Sequence, residues 1–163
     1  MPQHSAIVRR VMPGRIDSIF ITATSGAPMQ SMATAELVAG RGIRGDRNYR
    51  EVEPHEEQIT FIAAEEIERF NQATGLHLGN GDPRRNVVIR GVALDALVGR
   101  RFRVGSASFS GLELCEPCAT LGKRLASPPV TPAAVVAAFT HRAGLRARID
   151  VGGTIAPGDA FAV

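Results

Sequence analysis

The sequence predicts a mainly β protein, a closed or nearly closed β-barrel with two or three short helices, folded as one domain. Three observations carry that expectation. Short β-branched and alternating runs recur along the chain, and glycine or proline turns separate them, with 17 Gly and 10 Pro in 163 residues. Few segments have helical spacing, and those are short. No internal repeat or linker breaks the chain, and this length buries roughly two thirds of the unfolded surface. The domain is therefore taken as residues 1–163, with its motif-bearing core starting near residue 15.

Arg15 to Thr22 reads as the first strand, and a small-residue loop follows from Ala23 to Ser31. Ala33 to Val38 is strand-like and runs into Ala39-Gly40-Arg41-Gly42-Ile43-Arg44-Gly45-Asp46-Arg47. Three glycines within six positions describe a tight loop with arginines interleaved, as an anion cradle would have. The Gly-Lys-Ser/Thr ending of a nucleotide-binding loop is missing. Glu51 to Glu57 is an acidic loop, and Gln58 to Ile62 is a strand. Ala63 to Thr74 is a helix: Ala63, Ile67 and Phe70 share a face, glutamates fill the early turns, and Gly75 stands at the C-terminal cap position.

The turn Gly79-Asn80-Gly81-Asp82-Pro83 delivers Arg84-Arg85-Asn86 into the strand Val87-Val88-Ile89. Beyond Leu94 strands alternate with glycines: Leu97-Val98-Gly99, Arg101 to Val104, Ala107 to Phe109, and Leu112 to Leu114. A helix-prone piece follows Cys118, then the stiff loop Ser127 to Pro132 and a second helix from Ala133 to Phe139. His141 to Ile149 turns into a strand, and Ala160 to Val163 forms the last one.

Composition narrows the function classes. Aromatics make up 5% with no Trp, too few for nucleic-acid stacking platforms, and a net charge of +3 without dense clustering also argues against nucleic acid. No apolar run approaches the ~18 residues of a membrane span. The N-terminal Met1-Pro2-Gln3-His4-Ser5 lacks a signal peptide's apolar core, and two cysteines suit a reducing setting, so a cytoplasmic protein is expected. Of the nineteen basic residues only Lys123 is lysine. Arginine forks hold phosphate in bidentate fashion, although genome composition alone produces the same bias.

Both cysteines lie in Leu114-Cys115-Glu116-Pro117-Cys118. Pro117 ends the preceding strand and fixes φ, which sets Cys118 on a turn at a strand end, where scaffolds place chemistry. A lone C-x-x-C suits a redox pair, half of a zinc site, or packed structural cysteines. A thioredoxin-type pair needs a helix start within a βαβ unit, which this reading lacks there. Zinc needs four ligands, and the histidines (His4, His55, His77, His141) are scattered. Arg84-Arg85-Asn86, the Gly-rich arginines, and His141-Arg142 with Arg146 are each compatible with solvated surface. Together with Cys118 they define one candidate anion-binding cleft.

Four motifs then fall in the order and spacing of a known family. Gly42-Ile43-Arg44-Gly45-Asp46-Arg47, Gln58 to Ile62 with Glu65, Arg84-Arg85-Asn86-Val87-Val88 and Cys115-Glu116-Pro117-Cys118 resemble MOSC domains. These domains form the C-terminal part of molybdenum-cofactor sulfurases and the body of mitochondrial amidoxime-reducing components. Leu97 to Phe102 and His141 to Leu145 add a likeness to small stand-alone bacterial members. The resemblance implies a MOSC-type β-barrel holding the pyranopterin molybdenum cofactor, with Cys118 as molybdenum ligand. Arg84 and Asn86 match an Arg-x-Asn element associated with that cofactor, and Arg44, Asp46 and Arg47 match the Gly-rich signature. Cys115 is not generally shared.

The implied activity is reduction of N-oxygenated small molecules, served by an electron donor. The alternative is a carrier or sulfur-transfer module in which Cys118 holds a persulfide or hands the cofactor to another protein. Pyridoxal phosphate is not expected, because the desulfurase domain of the sulfurases has no counterpart here.

Overall fold

Alternating apolar residues build the scaffold: Ile16, Ile19 and Ile21 from the first strand, Phe102 and Val104 from the seventh, and Ala107 and Phe109 from the eighth are all buried. The structure, a computed structural model, describes residues 13–52 and 55–163. The Met1 to Ser5 stretch, with His4, and part of the Glu51 to Glu57 loop lie outside the described residues. The strands are β1 (Arg15–Ile21), β2 (Gln30–Ser31), β3 (Ala35–Val38), β4 (Gly42–Ile43), β5 (Ile59–Ala63), β6 (Val87–Arg90), β7 (Arg101–Val104), β8 (Ala107–Leu114), β9 (Leu145–Val151), β10 (Gly153–Ile155) and β11 (Phe161–Ala162). The helices are α1 (Ala64–Thr74), α2 (Ala119–Leu125) and α3 (Pro132–Phe139), and a short 3-10 turn spans Leu94–Leu97.

Eight strands pair in the order β11-β7-β8-β9-β5-β6-β1-β2, and β10-β3-β4 form a smaller sheet. Mainly β with three helices is the architecture. The expected barrel closure is not made by a continuous ladder. The large sheet runs open from β11 to β2, and one antiparallel bridge, Arg15 to Ala160, ties the start of β1 to the β11 end. Beside that bridge the Phe161 N–H donates to the Gly14 carbonyl at 2.8 Å.

Other departures have local causes. Leu94 to Leu97 forms a 3-10 turn rather than the lead into a strand, because both leucines turn inward to the core. Ala107–Leu114 is one strand across Gly111, with a register shift between Gly111 and Glu113. Gly42 joins a two-residue strand, pairing with Val38, instead of lying in pure loop. β5 and β6 are parallel, with α1 as the crossover, so a βαβ unit exists here and not at the cysteines. β8 and β9, which flank α2 and α3, are antiparallel.

Two cores share the large sheet. One lies on its inner face, where Phe61, Phe102 and Phe109 meet with ring centroids 5.2 to 5.4 Å apart. The other fills the space between Ile62 and Val88 on the outer face and the three helices, where Phe70 stacks on Phe139 at 4.6 Å. Gly75 caps α1 with φ 75°, as the sequence predicts. Among the described residues no helix is long and apolar enough to cross a membrane.

Candidate functional site

β8 ends at Leu114, and the chain crosses Pro117 to reach Cys118, the N-terminal cap of α2. This end of the sheet opens into a cleft of about 610 Å³. Its walls come from the C-terminal end of β8, the starts of β5 and β6, β9 and the Arg47 loop. Cys118 is exposed, and Cys115 beside it is buried. The Cys115 N–H donates to the Gly144 carbonyl at 2.8 Å. Gly144 has φ 115°, and a Cβ there would meet the Phe61 carbonyl oxygen at 2.1 Å, so only glycine allows this close pass.

The two thiols are electrostatic opposites. The backbone N–H of Leu121, then those of Thr120 and Cys118 itself, draw the Cys118 pKa below its ordinary value, with Arg85 adding to the pull. Burial pushes the Cys115 thiol up, against the attraction of Arg85 and Arg146. Cys118 is the thiolate-forming member of the pair.

Arg85 is half-buried at the centre of the arginine group. Its Nε donates to the Ala143 carbonyl at 2.8 Å and its NH1 to the Pro83 carbonyl at 3.3 Å. Burial lowers its pKa first, and Arg146 and Arg47 repel it. Arg84 holds a left-handed φ of 63° and donates to the Ala27 carbonyl at 2.7 Å. Arg47 contacts the Met29 sulfur at 3.6 Å. Arg146 pairs with Glu113 at 2.6 Å, directly opposite on β8 because of the register shift there. No ion pair among the described residues includes Arg47, Arg84 or Arg85. Three guanidiniums without carboxylate partners stand beside a thiol of lowered pKa, a charge balance that suits an anionic group.

Asn86 also lines the cleft, but its amide is committed to the protein. Its Oδ1 accepts from the Thr60 N–H and hydroxyl, each at 3.1 Å, and its Nδ2 donates to the Phe20 carbonyl at 3.1 Å. It joins β5, β6 and β1 where the cleft begins.

The other predicted residues stand apart from this cleft. Arg44 pairs with Glu36 at 2.8 Å and lies over the Tyr49 ring on the outside. Asp46 is buried and pins its own loop, accepting from the Thr22 and Asn48 N–H groups. Arg142 pairs with Glu66 at 3.2 Å in a neighbouring hollow, which His141 also lines. His141 has φ 62°, and Glu116 grips both its N–H (3.1 Å) and its Nδ1 (2.9 Å). That grip draws the Glu116 carboxyl below its usual range, the His141 backbone N–H contributing most. Thr60, Glu113 and Glu116 are cleft residues that sequence reasoning did not single out. Glu113 and Glu116 flank the cysteines and were legible by position, whereas Thr60 becomes visible only through its pairing with Asn86.

Among the described residues no three His, Cys, Asp and Glu side chains gather to hold a metal ion. A metal seated here would take Cys118 as its protein ligand and the rest of its donors from a bound group. The exposed thiol of lowered pKa and the arginines that lack carboxylate partners fit such a group.

The MOSC domain family matches residues 32–162. The chain belongs to the MOSC domain family. No curated protein matches it. This MOSC domain is similar in fold to the YuaD protein from Bacillus subtilis, with TM-score 0.80 and 20% identity, covering 92% of this chain and 94% of that one. It is also similar to YiiM from Geobacillus stearothermophilus, with TM-score 0.70 and 17% identity, covering 92% and 74%. For YiiM from Escherichia coli the values are 0.63 and 15%, covering 91% and 70%. The MOSC domain family is linked to molybdenum cofactor binding.

Proposed function

We propose that this MOSC domain binds the pyranopterin molybdenum cofactor in the Cys118 cleft and reduces N-oxygenated small molecules there. The observation that carries the reading is the juxtaposition of an exposed thiol of lowered pKa with three arginines lacking carboxylate partners. When bound, the cofactor supplies two-electron oxygen-atom transfer. The protein's part is binding and orientation. Cys118 offers the soft ligand, and the backbone N–H groups at the start of α2 favour its ionised form. Arg47, Arg84 and Arg85 neutralise the cofactor's anionic tail. Asn86 and Thr60 hold the strand ends so that Arg85 keeps its place. Glu116, two residues before Cys118, lines the cleft and holds the His141 turn at its edge.

The exposure of Cys118 also favours the carrier reading, in which a partner protein reaches the sulfur directly. Turnover separates the two. Repeated reduction of an N-hydroxylated compound with a chemical electron donor supports the enzyme, and a single stoichiometric event supports the carrier.

The primary test is the molybdenum content of protein made in a cofactor-competent host. The wild type is expected to carry stoichiometric molybdenum and pterin. Cys118→Ala is expected to lose roughly tenfold or more of the metal, as loss of a ligand does. A Cys118→Ala protein that keeps full molybdenum removes the assignment of Cys118.

A further inference from the structure

Arg84 is not confined to the Cys118 cleft. That residue also lines a second compartment of about 570 Å³, walled on the far side by α2 and by the loop leading to β2. Met29, whose sulfur contacts Arg47 at 3.6 Å, belongs to the second compartment, while Arg47 belongs to the first. Arg47, Arg84 and Met29 thus form the divide between the two spaces. Arg84 cannot swing freely out of it, because its NH1 is tied to the Ala27 carbonyl at 2.7 Å.

The charge on the second compartment is lopsided. It presents Arg84 and the exposed Arg124, and no ion pair among the described residues includes either. Its one acid, Asp82, is occupied with the Gly79 N–H at 2.7 Å. Burial lowers the Arg84 pKa, and repulsion from Arg124 and then Arg47 adds to it, so these three cations feel one another. An anion set among them relieves that repulsion and gains charge-assisted hydrogen bonds. Met29, Leu78 and Leu125 give the remaining wall an apolar part. A thioether and aliphatic side chains suit the face of a flat organic ring.

We infer that this second compartment is a subsite for a phosphate ester of a planar heterocycle, with Arg84 and Arg124 on the phosphate and Met29, Leu78 and Leu125 against the ring. It lets the cleft take a ligand longer than one pterin phosphate. The phosphate ester is either a nucleotide portion of the bound cofactor or part of the substrate, and both place the same chemistry there. The assignment rests on the reading of the Cys118 compartment as the cofactor's seat, and its test keeps the two separate.

Cofactor-free protein is titrated calorimetrically with inorganic phosphate and with adenosine monophosphate. The wild type is expected to bind the nucleotide more tightly than inorganic phosphate. Arg124→Gln is expected to lose about tenfold in nucleotide affinity, the loss of one charge-assisted contact. Arg124→Lys is expected to retain most of it. Because Arg124 is exposed, unchanged melting temperatures certify that both variants are folded. Wild-type nucleotide affinity in Arg124→Gln, or no nucleotide binding by the wild type, overturns the subsite. An Arg124-dependent site in protein that never carries molybdenum leaves the subsite standing and sinks the cofactor reading instead. Mass spectrometry of the cofactor released from loaded protein identifies the source. A nucleotide on it assigns the subsite to the cofactor, and its absence assigns the subsite to the substrate.

Discussion

Cys118 and Cys115 differ in reactivity because the backbone N–H groups of Leu121, Thr120 and Cys118 itself favour the thiolate of the first, while burial disfavours that of the second. The attacking species is the thiolate, so alkylation speeds up as pH rises through the thiol's pKa. Lowering that pKa moves the rise to lower pH. Iodoacetamide is therefore expected to label Cys118 with a midpoint below the ordinary thiol value and to spare Cys115 until the chain unfolds. Equal labelling of both, or a midpoint at or above the ordinary value, would contradict the assigned polarity. Cys118 was legible in the sequence because Pro117 cannot continue a strand and must release the chain near its end. The fates of Arg44 and Asp46 were not. They alternate with glycines that have positive φ, Gly42 at 121° and Gly45 at 83°, and the backbone there turns both side chains to partners away from the cleft.

At the scale of elements, the parallel β5–β6 pair owes its register at the cleft to one side chain. The amide of Asn86 satisfies two groups of Thr60 and the Phe20 carbonyl, and its own N–H donates to the Thr60 hydroxyl at 3.0 Å. Replacing the amide leaves several of these groups buried without partners, each costing on the order of 1–3 kcal/mol. Asn86→Ala is expected to lower unfolding free energy by about 2–4 kcal/mol in urea titration, with the slope unchanged. A change under about 0.5 kcal/mol would remove the stapling role and leave the cleft role alone. Helix α1, with its glutamates, apolar face and Gly75, was legible because all its signals are local. The strand β10 was not anticipated. Its pairing with β3 depends on Gly152 passing the Leu37 carbonyl, where a Cβ would sit 2.4 Å from the oxygen. That is a long-range fact absent from any local pattern.

On the scale of the whole molecule, sheet closure and site assembly depend on contacts far apart in sequence, and this is why a barrel was expected where an open order with one bridge is found. The helical layer on the outer face has a second role, because α2 carries Cys118 and its position is set by α3. The contact is close at Gly122: a Cβ there would lie 2.8 Å from the Pro132 carbonyl oxygen and 3.0 Å from Val136 Cγ2. The carbonyl belongs to backbone and cannot rotate aside, so Gly122→Ala must push α2 away from α3. Overpacking of this kind costs about 1–3 kcal/mol. The same displacement moves the Leu121 N–H, the largest influence holding the Cys118 pKa down. Gly122→Ala is therefore expected to lower the melting temperature and to shift the Cys118 alkylation midpoint upward, toward an ordinary thiol. Adding Val136→Ala restores part of the stability, since it clears one of the two contacts, while the Pro132 carbonyl stays in place. A folded Gly122→Ala protein with wild-type alkylation would show that the thiolate is set by α2 alone, without help from the layer behind it.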